Sequence, residues 1–423
     1  ARVVKTLRLA RRGLKLARRP AAVAALRPDG RRLLIDGEGR APRRAIAAQS
    51  LADANAFAAY RADLARLARK LKPLWLERAG LSEEAEADPL LARLKVTSAA
   101  AFLNARFESE ALKTALAFDA SSPFDAGSAV ALVWRAAQAM WSESGAAAIV
   151  QGGAPALAKA LTDAALSAGA ALRMQAKVAQ LILTDGAAVG VALESGEKIF
   201  ARAVLSSLSR RATLLKLCPV ARAGIAETLA LIDSAPVCGE AAIGFLLNGP
   251  AELGDGDVPD GARFVLAERL DSFAAAASAA RAGRLPDDLI LEAAESSAAD
   301  PSLAPQGRHV LIVRVRCLPI NPAGGWAKTS PALIARTLAA LERHAPNLRG
   351  RIVGVDLRLP DGEADGEGAP GRLLASYDER IAMPVDGLFL CGAGAEPMNA
   401  VSGRAGRLAA EIALEWLAKG ALS

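Results

Sequence analysis

The sequence predicts an α/β protein of two interlocked parts, and three observations carry that prediction. Met383 to Leu417 reads as turn, strand, glycine loop and helix, the pattern of a parallel βα unit. Residues 149–207 hold a second strand, Gly152-Gly153 and helix, followed by a meander of short strands. The rest mixes long helical stretches with scattered strand runs, as in an α+β body. A chain of 423 residues is too long for one small core. With 52% hydrophobic and 23% charged residues it is expected to fold rather than stay disordered. It divides into a basic segment and strand (1–45), a helical region (46–148), a strand–helix–meander segment (149–207), a further α+β region (208–372) and the C-terminal βα unit (373–423).

Fourteen Lys or Arg stand against three acids in the first 45 residues. There Val3 to Arg19, VVKTLRLARRGLKLARR, is basic and amphipathic, and we read it as a surface helix. Peripheral membrane contact through residues 1–20 is the alternative. Nucleic acid is not expected, because aromatic interleaving and zinc spacing are missing. Pro28-Asp29-Gly30 makes a turn before a Leu33-Leu34-Ile35 strand. Ser50 to Leu76 is helical, with Ser50 and Asp53 as caps and an apolar stripe of Phe57, Tyr60, Leu64, Leu67 and Leu71. In the next helices Glu108, Glu110 and Asp119 serve as caps and salt links, or as acids and bases. Trp134 and Trp141 share a helix face, for packing or for lining an apolar tunnel.

Leu157, Ala160, Leu161 and Ala164 give the next helix a buried face, and Gly169 ends it. The meander is Val178 to Leu183, Ala188 to Leu193 and Ile199 to Leu205, turning at Asp185-Gly186 and Ser195-Gly196. Beyond it, strands are expected over 241–247, 263–267 and 310–317, and helices over 271–282 and 331–344. In the C-terminal unit, Leu388 to Cys391 is a strand buried on both faces. Ser402 caps the last helix, with Gly403 in its first turn. Leu408, Ile412 and Trp416 lie on one side, and Arg404, Arg407, Glu411 and Glu415 on another. A helix N-terminus aimed at a strand end suits an anion or a carbonyl; a plain βα turn has the same pattern.

Cys218, Cys238, Cys317 and Cys391 are scattered without CxxC spacing, so neither zinc nor a disulfide framework is indicated, and a reducing cytoplasm is expected. The two histidines, His309 and His344, read as surface or satisfied core positions rather than a metal site or hydrolase triad. The one literal GxGxxG, Gly366 to Gly371, follows no strand and carries Asp365 and Glu367, so it reads as a surface loop.

LFLCGAGAEPMNAVSGRAGRLAAEIAL (388–414) resembles the C-terminal flavin motif of the phytoene desaturase-like flavoproteins, within the wider amine oxidase superfamily. FESEALKTALAFDASSPFDAGSAVALVW (107–134) and GRHVLIVRV (307–315) are similar to the pyridine nucleotide-disulfide oxidoreductase domain-containing branch. The resemblance implies an FAD/NAD(P)-binding Rossmann-like domain interlocked with an α+β substrate domain. It implies FAD as cofactor, with Gly392, Gly394, Ala395, Val401, Ser402 and Gly403 on the flavin side and Val178 at the adenine. Ser206-Ser207 would return the chain beneath it. Hydride transfer from an apolar small molecule is the implied reaction. No catalytic acid or base is assigned; Glu396 stands nearest in sequence.

Three features depart from that family. No strand–GxGxxG–helix opens the chain, so the FAD domain is expected to be incomplete at its N-terminus, with the unit removed, supplied by a partner chain, or lost together with flavin binding. The sheet is then expected to be reshaped or covered by a partner. Met398-Asn399-Ala400 replaces a glycine run, so Met398 intrudes on the ring or packs beside it. The stretch from Gly371 to Tyr377 is short. A non-catalytic binding or assembly subunit is the alternative reading.

Overall fold

A computed structural model describes residues 2–18, 22–27, 29–35, 41–141, 148–218, 238–253, 258–360, 373–396, 398 and 401–420. The Gly366–Gly371 loop lies outside the described residues.

Among the described residues fourteen strands are numbered in chain order. They are β1 (Leu16–Arg18), β2 (Val23–Leu26), β3 (Arg32–Ile35), β4 (Ala148–Val150), β5 (Val178–Thr184), β6 (Ala187–Leu193) and β7 (Lys198–Phe200). The others are β8 (Val204–Ser206), β9 (Gly239–Leu247), β10 (Arg263–Leu266), β11 (Ile290–Glu295), β12 (His309–Leu318), β13 (Ile352–Arg358) and β14 (Leu388–Leu390). Seven form the main sheet in the order β13-β9-β12-β11-β10-β2-β3, antiparallel throughout except for the parallel β10–β2 pair. Alternation decides its two faces. Ala241, Ile243, Phe245 and Leu247 of β9 and Leu311, Val313 and Val315 of β12 point one way, into a core closed by Leu333, Leu338 and Leu341 of the Trp326–Glu342 helix. Val265 and Ile290 point the other way, toward a larger helical core.

That helical core is organised by the Leu51–Lys70 helix, where Ser50 Oγ accepts from the Asp53 amide at 3.1 Å. The expected stripe of Phe57, Tyr60, Leu64, Leu67 and Leu71 is buried throughout. Asp53 works across the layer instead of as a cap. Its buried carboxylate accepts from the Glu108 and Ser109 amides at 2.8 and 2.7 Å. Trp75 is fully buried, donates Nε1–H to the Leu373 carbonyl at 2.7 Å, and meets Trp134 edge-on at 5.1 Å between centroids. Trp134 therefore packs rather than lining a tunnel; the Trp141 side chain lies outside the described residues.

Val3 to Arg19 is not one helix. It is a short helix (Arg2–Thr6), a 3-10 turn (Leu9–Arg12) and β1, broken where Arg8 and Gly13 take φ of 51° and 88°. Leu9 and Leu14 need burial, and they find it against Ala160 and Ala164 of the Gly153–Ser167 helix, while β1 pairs with β4. Leu161 stays 37% exposed, contrary to expectation.

The meander is β5-β6-β7, but its third strand ends at Phe200. The chain then enters β8, which leaves the meander and pairs in parallel with β14. The one expected strand is thus two, serving different sheets. Together with the Arg404–Gly420 helix, this parallel pair is the Rossmann-like element the sequence implies. Among the described residues β14 and β8 form a sheet of two strands, and Leu205 of β8 is 39% exposed.

One buried carboxylate sets an acid limit on the helical region. Asp88 caps the Pro89–Leu94 helix and pairs with Lys70 at 3.0 Å and with Arg66. Burial pushes its pKa up, but the hydrogen bonds from Arg66, Lys70 and the Leu90 amide outweigh burial and hold it at about 2. A depressed folded pKa stabilises above the unfolded value of about 3.9 and is lost as pH falls through the folded value. Denaturation midpoints followed from about pH 4 down to about pH 2 are predicted to fall less steeply in Asp88→Asn than in the unaltered chain. Parallel slopes would contradict the assignment.

Candidate functional site

The corner where β14 meets the Arg404–Gly420 helix is built from inside out. All three residues of β14 are buried, and the Cys391 amide donates to the Ser206 carbonyl at 2.8 Å, extending the ladder past β8. Gly392 follows. A Cβ there would stand 2.1 Å from the Ser207 carbonyl oxygen, so the returning chain fills the space that glycine leaves. A 3-10 turn, Ala393–Ala395, then buries Gly394 and Ala395. The Ser207 backbone lies against Gly392 and accounts for that glycine without any ligand.

Glu396 comes next, 5% exposed. Its Oε1 accepts from Ser402 Oγ at 2.5 Å and from the Ala405 amide at 2.7 Å, and its Oε2 accepts from the Tyr377 hydroxyl at 2.9 Å. Ser402 Oγ in turn accepts from the Arg404 amide at 3.0 Å. Arg404 donates to the Trp75 carbonyl at 3.0 Å and to the Tyr377 oxygen at 3.2 Å. Burial, then the Glu396 carboxylate, pushes the Tyr377 pKa up, so this hydroxyl stays a donor. Two amides of the helix's first turn, expected to be free for an anion, are satisfied by the chain's own Ser402 and Glu396. Gly403 precedes the helix rather than sitting in its first turn, with φ of 67°. Glu396 is an anchor of that turn, not a poised acid or base.

The open side of the corner is different. Ala393, Val401 and Gly403 are exposed there, Val401 by 87%, and Leu208 just after β8 is 41% exposed. Val3 lies 3.3 Å from where a Gly403 Cβ would stand. Met398 takes φ of 48° and packs against the helical core; Asn399 and Ala400 lie outside the described residues. Val178 begins β5, opposite Leu193, while the other end of the meander is tied to the corner by a bridge between Ala187 and Asp386. Six residues of strand, about 20 Å, separate those ends. The exposed residues at this corner are small or apolar, and Val3 stands against Gly403. A flat ring system does not fit at Gly392 or Ser402, which the fold has used.

The helical-core face of the main sheet carries charge. Arg263 of β10 pairs with Glu292 of β11 at 3.2 Å, and Arg316 of β12 pairs with Glu292 at 3.3 Å while donating to the Phe118 carbonyl at 2.9 Å. Asp119 joins them through Arg135 at 3.2 Å and Arg263 at 3.4 Å. Burial raises the Glu292 pKa, but Arg263 and Arg316 outweigh it and hold it low. Burial lowers that of Arg135. Asp119 is thus a salt link, as is Glu110, paired with Lys113. Glu108 lines a separate cavity of about 420 Å³ with Ser109, Thr114 and Glu268. His309 Nδ1 lies 2.6 Å from Glu295, a satisfied position. Among the described residues no group of three or more His, Cys, Asp or Glu is placed to hold a metal.

Sequence reading missed Tyr377, Arg404 and the arginine cluster. Tyr377, one of only two tyrosines, was the findable one; the arginines meet through strand register that no local pattern encodes.

Residues 4–239 match the model of the flavin containing amine oxidoreductase family. A mouse protein, pyridine nucleotide-disulfide oxidoreductase domain-containing protein 2 of Mus musculus, is 29% identical over 473 aligned residues, covering 96% of this chain and 81% of its own. An oxidoreductase from Methanosarcina mazei superposes with a TM-score of 0.62 at 16% identity, over 96% of this chain and 84% of its own. Putrescine oxidase bound to putrescine superposes with a TM-score of 0.60 at 14% identity, over 97% and 85%. These likenesses meet the expected fold and the expected superfamily.

Gly392→Ala is predicted to cost about 3 kcal/mol or more, because the Ser207 backbone cannot step aside. Gly406→Ala, whose Cβ would sit 3.6 Å from the Cys391 oxygen, is predicted to be neutral or stabilising by up to about 1 kcal/mol. Chemical denaturation of both variants decides it; equal effects would contradict the packing account.

Proposed function

The chain belongs to the flavin containing amine oxidoreductase family, and from that premise we propose that it is a flavin-dependent dehydrogenase acting on a largely apolar small molecule. One observation carries the reading: a rigidly held helix start beside an exposed surface of Ala393, Val401 and Gly403. When bound, a flavin supplies the hydride acceptor. The chain's part is placement. Val401 and Gly403 would lie against the ring, and Val178 is our proposal for the adenine end. Glu396, Tyr377 and Arg404 keep the helix start from shifting. Exposed Leu205 and Leu208 favour an apolar substrate beside the corner. The Arg263, Arg316 and Glu292 face favours a polar end on it.

A second reading, a binding or assembly subunit, is favoured by the edge of β8 that no described strand pairs with and by the helix amides already in use. In it a partner chain pairs with β8. We also propose a cytoplasmic protein that touches anionic membrane surfaces through residues 1–20, where Leu7 and Leu16 are 40% and 49% exposed among arginines.

Desalted after incubation with FAD, the purified chain is predicted to retain the visible absorbance of a bound flavin. No retained absorbance at excess FAD, with the protein folded by circular dichroism, would overturn the enzyme reading. Val401→Arg is predicted to weaken retention about tenfold or more while leaving the denaturation midpoint unchanged, because the side chain is exposed. Liposome flotation with and without residues 1–20 tests the membrane contact: loss of flotation on removal is the expected result.

A further inference from the structure

Cys238 and Cys317 are distant in sequence and share no motif, yet the main sheet brings them together. Gly239 of β9 pairs with Leu318 of β12, beyond a bulge that follows Val315. Each cysteine adjoins one member of that pair, so both side chains leave on the face opposite Leu318. Cys317 stands in the bulge with φ of 56°, a left-handed conformation uncommon outside glycine. Both pack against the same helical core, Cys317 within it and Cys238 at its margin, and each thiol shifts the titration of the other. Cys317 is buried, whereas Cys238 is partly exposed. Their roles are unequal. The neighbouring Cys317 thiol, helped by the Arg281 guanidinium, outweighs burial and Asp125 and favours the Cys238 thiolate. The same contact and burial hold Cys317 as a thiol. Cys218 and Cys391 are pushed the other way by burial.

We propose that Cys238 and Cys317 are a reversible dithiol–disulfide couple that exchanges with low-molecular-weight disulfides. The Cys238 thiolate attacks one sulfur of the small disulfide, whose S–S bond breaks and whose other half leaves as a thiol after taking a proton. Cys317 then loses its proton and attacks the Cys238 sulfur of the mixed disulfide, releasing the second small thiol. Two protein thiols are oxidised, one small disulfide is reduced to two thiols, and no other reactant is needed. The product joins β9 to β12 at the end of the substrate-side sheet. The couple is independent of flavin binding.

The whole chain, equilibrated in glutathione buffers of graded oxidised fraction, alkylated and digested, gives the test by mass spectrometry. The expected result is a Cys238–Cys317 linked peptide that grows with the oxidised fraction and disappears in reduced buffer, while Cys218 and Cys391 stay alkylatable. Cys317→Ser is expected to trap a glutathione adduct on Cys238, and Cys238→Ser to leave Cys317 unmodified. Four free thiols in fully oxidised glutathione, with unchanged circular dichroism, would overturn the proposal. So would glutathione on Cys218 or Cys391 in preference to Cys238.

Discussion

The Glu396 carboxylate at the start of the last helix is the interaction on which the C-terminal half depends. It is buried and accepts from a serine, a tyrosine and a helix amide at once. A buried carboxylate is tolerated only when its lone pairs are met by donors, and charge-assisted bonds of this kind contribute about 1.5–3 kcal/mol each. Through Arg404 the same cluster reaches the Trp75 carbonyl, and Trp75 in turn holds Leu373 and Trp134. The strand–loop–helix corner is thereby tied to the helical core rather than merely resting on it. The exposed pairs of Arg78 with Asp378 and Glu415 lie nearby but contribute little, since solvent screens them.

This constraint divides the glycine loop into two kinds of residue. Gly392, Ala395 and Ser402 are spent on internal contacts, with the Ser207 backbone, the buried turn and Glu396. Val401 is not, and it faces outward, 87% exposed, beside a helix start that the first group holds still. The same division works on the main sheet, where one face is apolar and the other sets arginines against Glu292 and Asp119. Breaking such a buried cluster costs more than the cluster itself contributes, because it strands the remaining charge.

Much of this was legible in the residues. The Phe57 to Leu71 stripe, the meander turns and the Leu388–Cys391 strand all follow from local periodicity, and local periodicity survives folding when each apolar face finds a partner. The failures have particular causes. Val3 to Arg19 has helical amphipathicity, but Leu9 and Leu14 are drawn to the Gly153–Ser167 helix and the chain breaks at Arg8 and Gly13 to deliver them. Ile199 to Leu205 reads as one strand, because nothing local shows that its second half leaves the meander for β14. The helix start was expected to offer free amides, but Glu396, six residues before Ser402, reaches across the loop to take one of them. Contacts set by register, such as Arg263 with Glu292 or Cys238 with Cys317, left no signal in the one-dimensional pattern.

The central claim is that Glu396 and Tyr377 act as a coupled structural anchor for the helix start. A double-mutant cycle of Glu396→Gln and Tyr377→Phe, read by chemical denaturation, tests it most directly. The account predicts a coupling of about 1–3 kcal/mol, with the double variant less destabilised than the sum of the singles. Additive effects would contradict it, showing that the two side chains stabilise the corner independently.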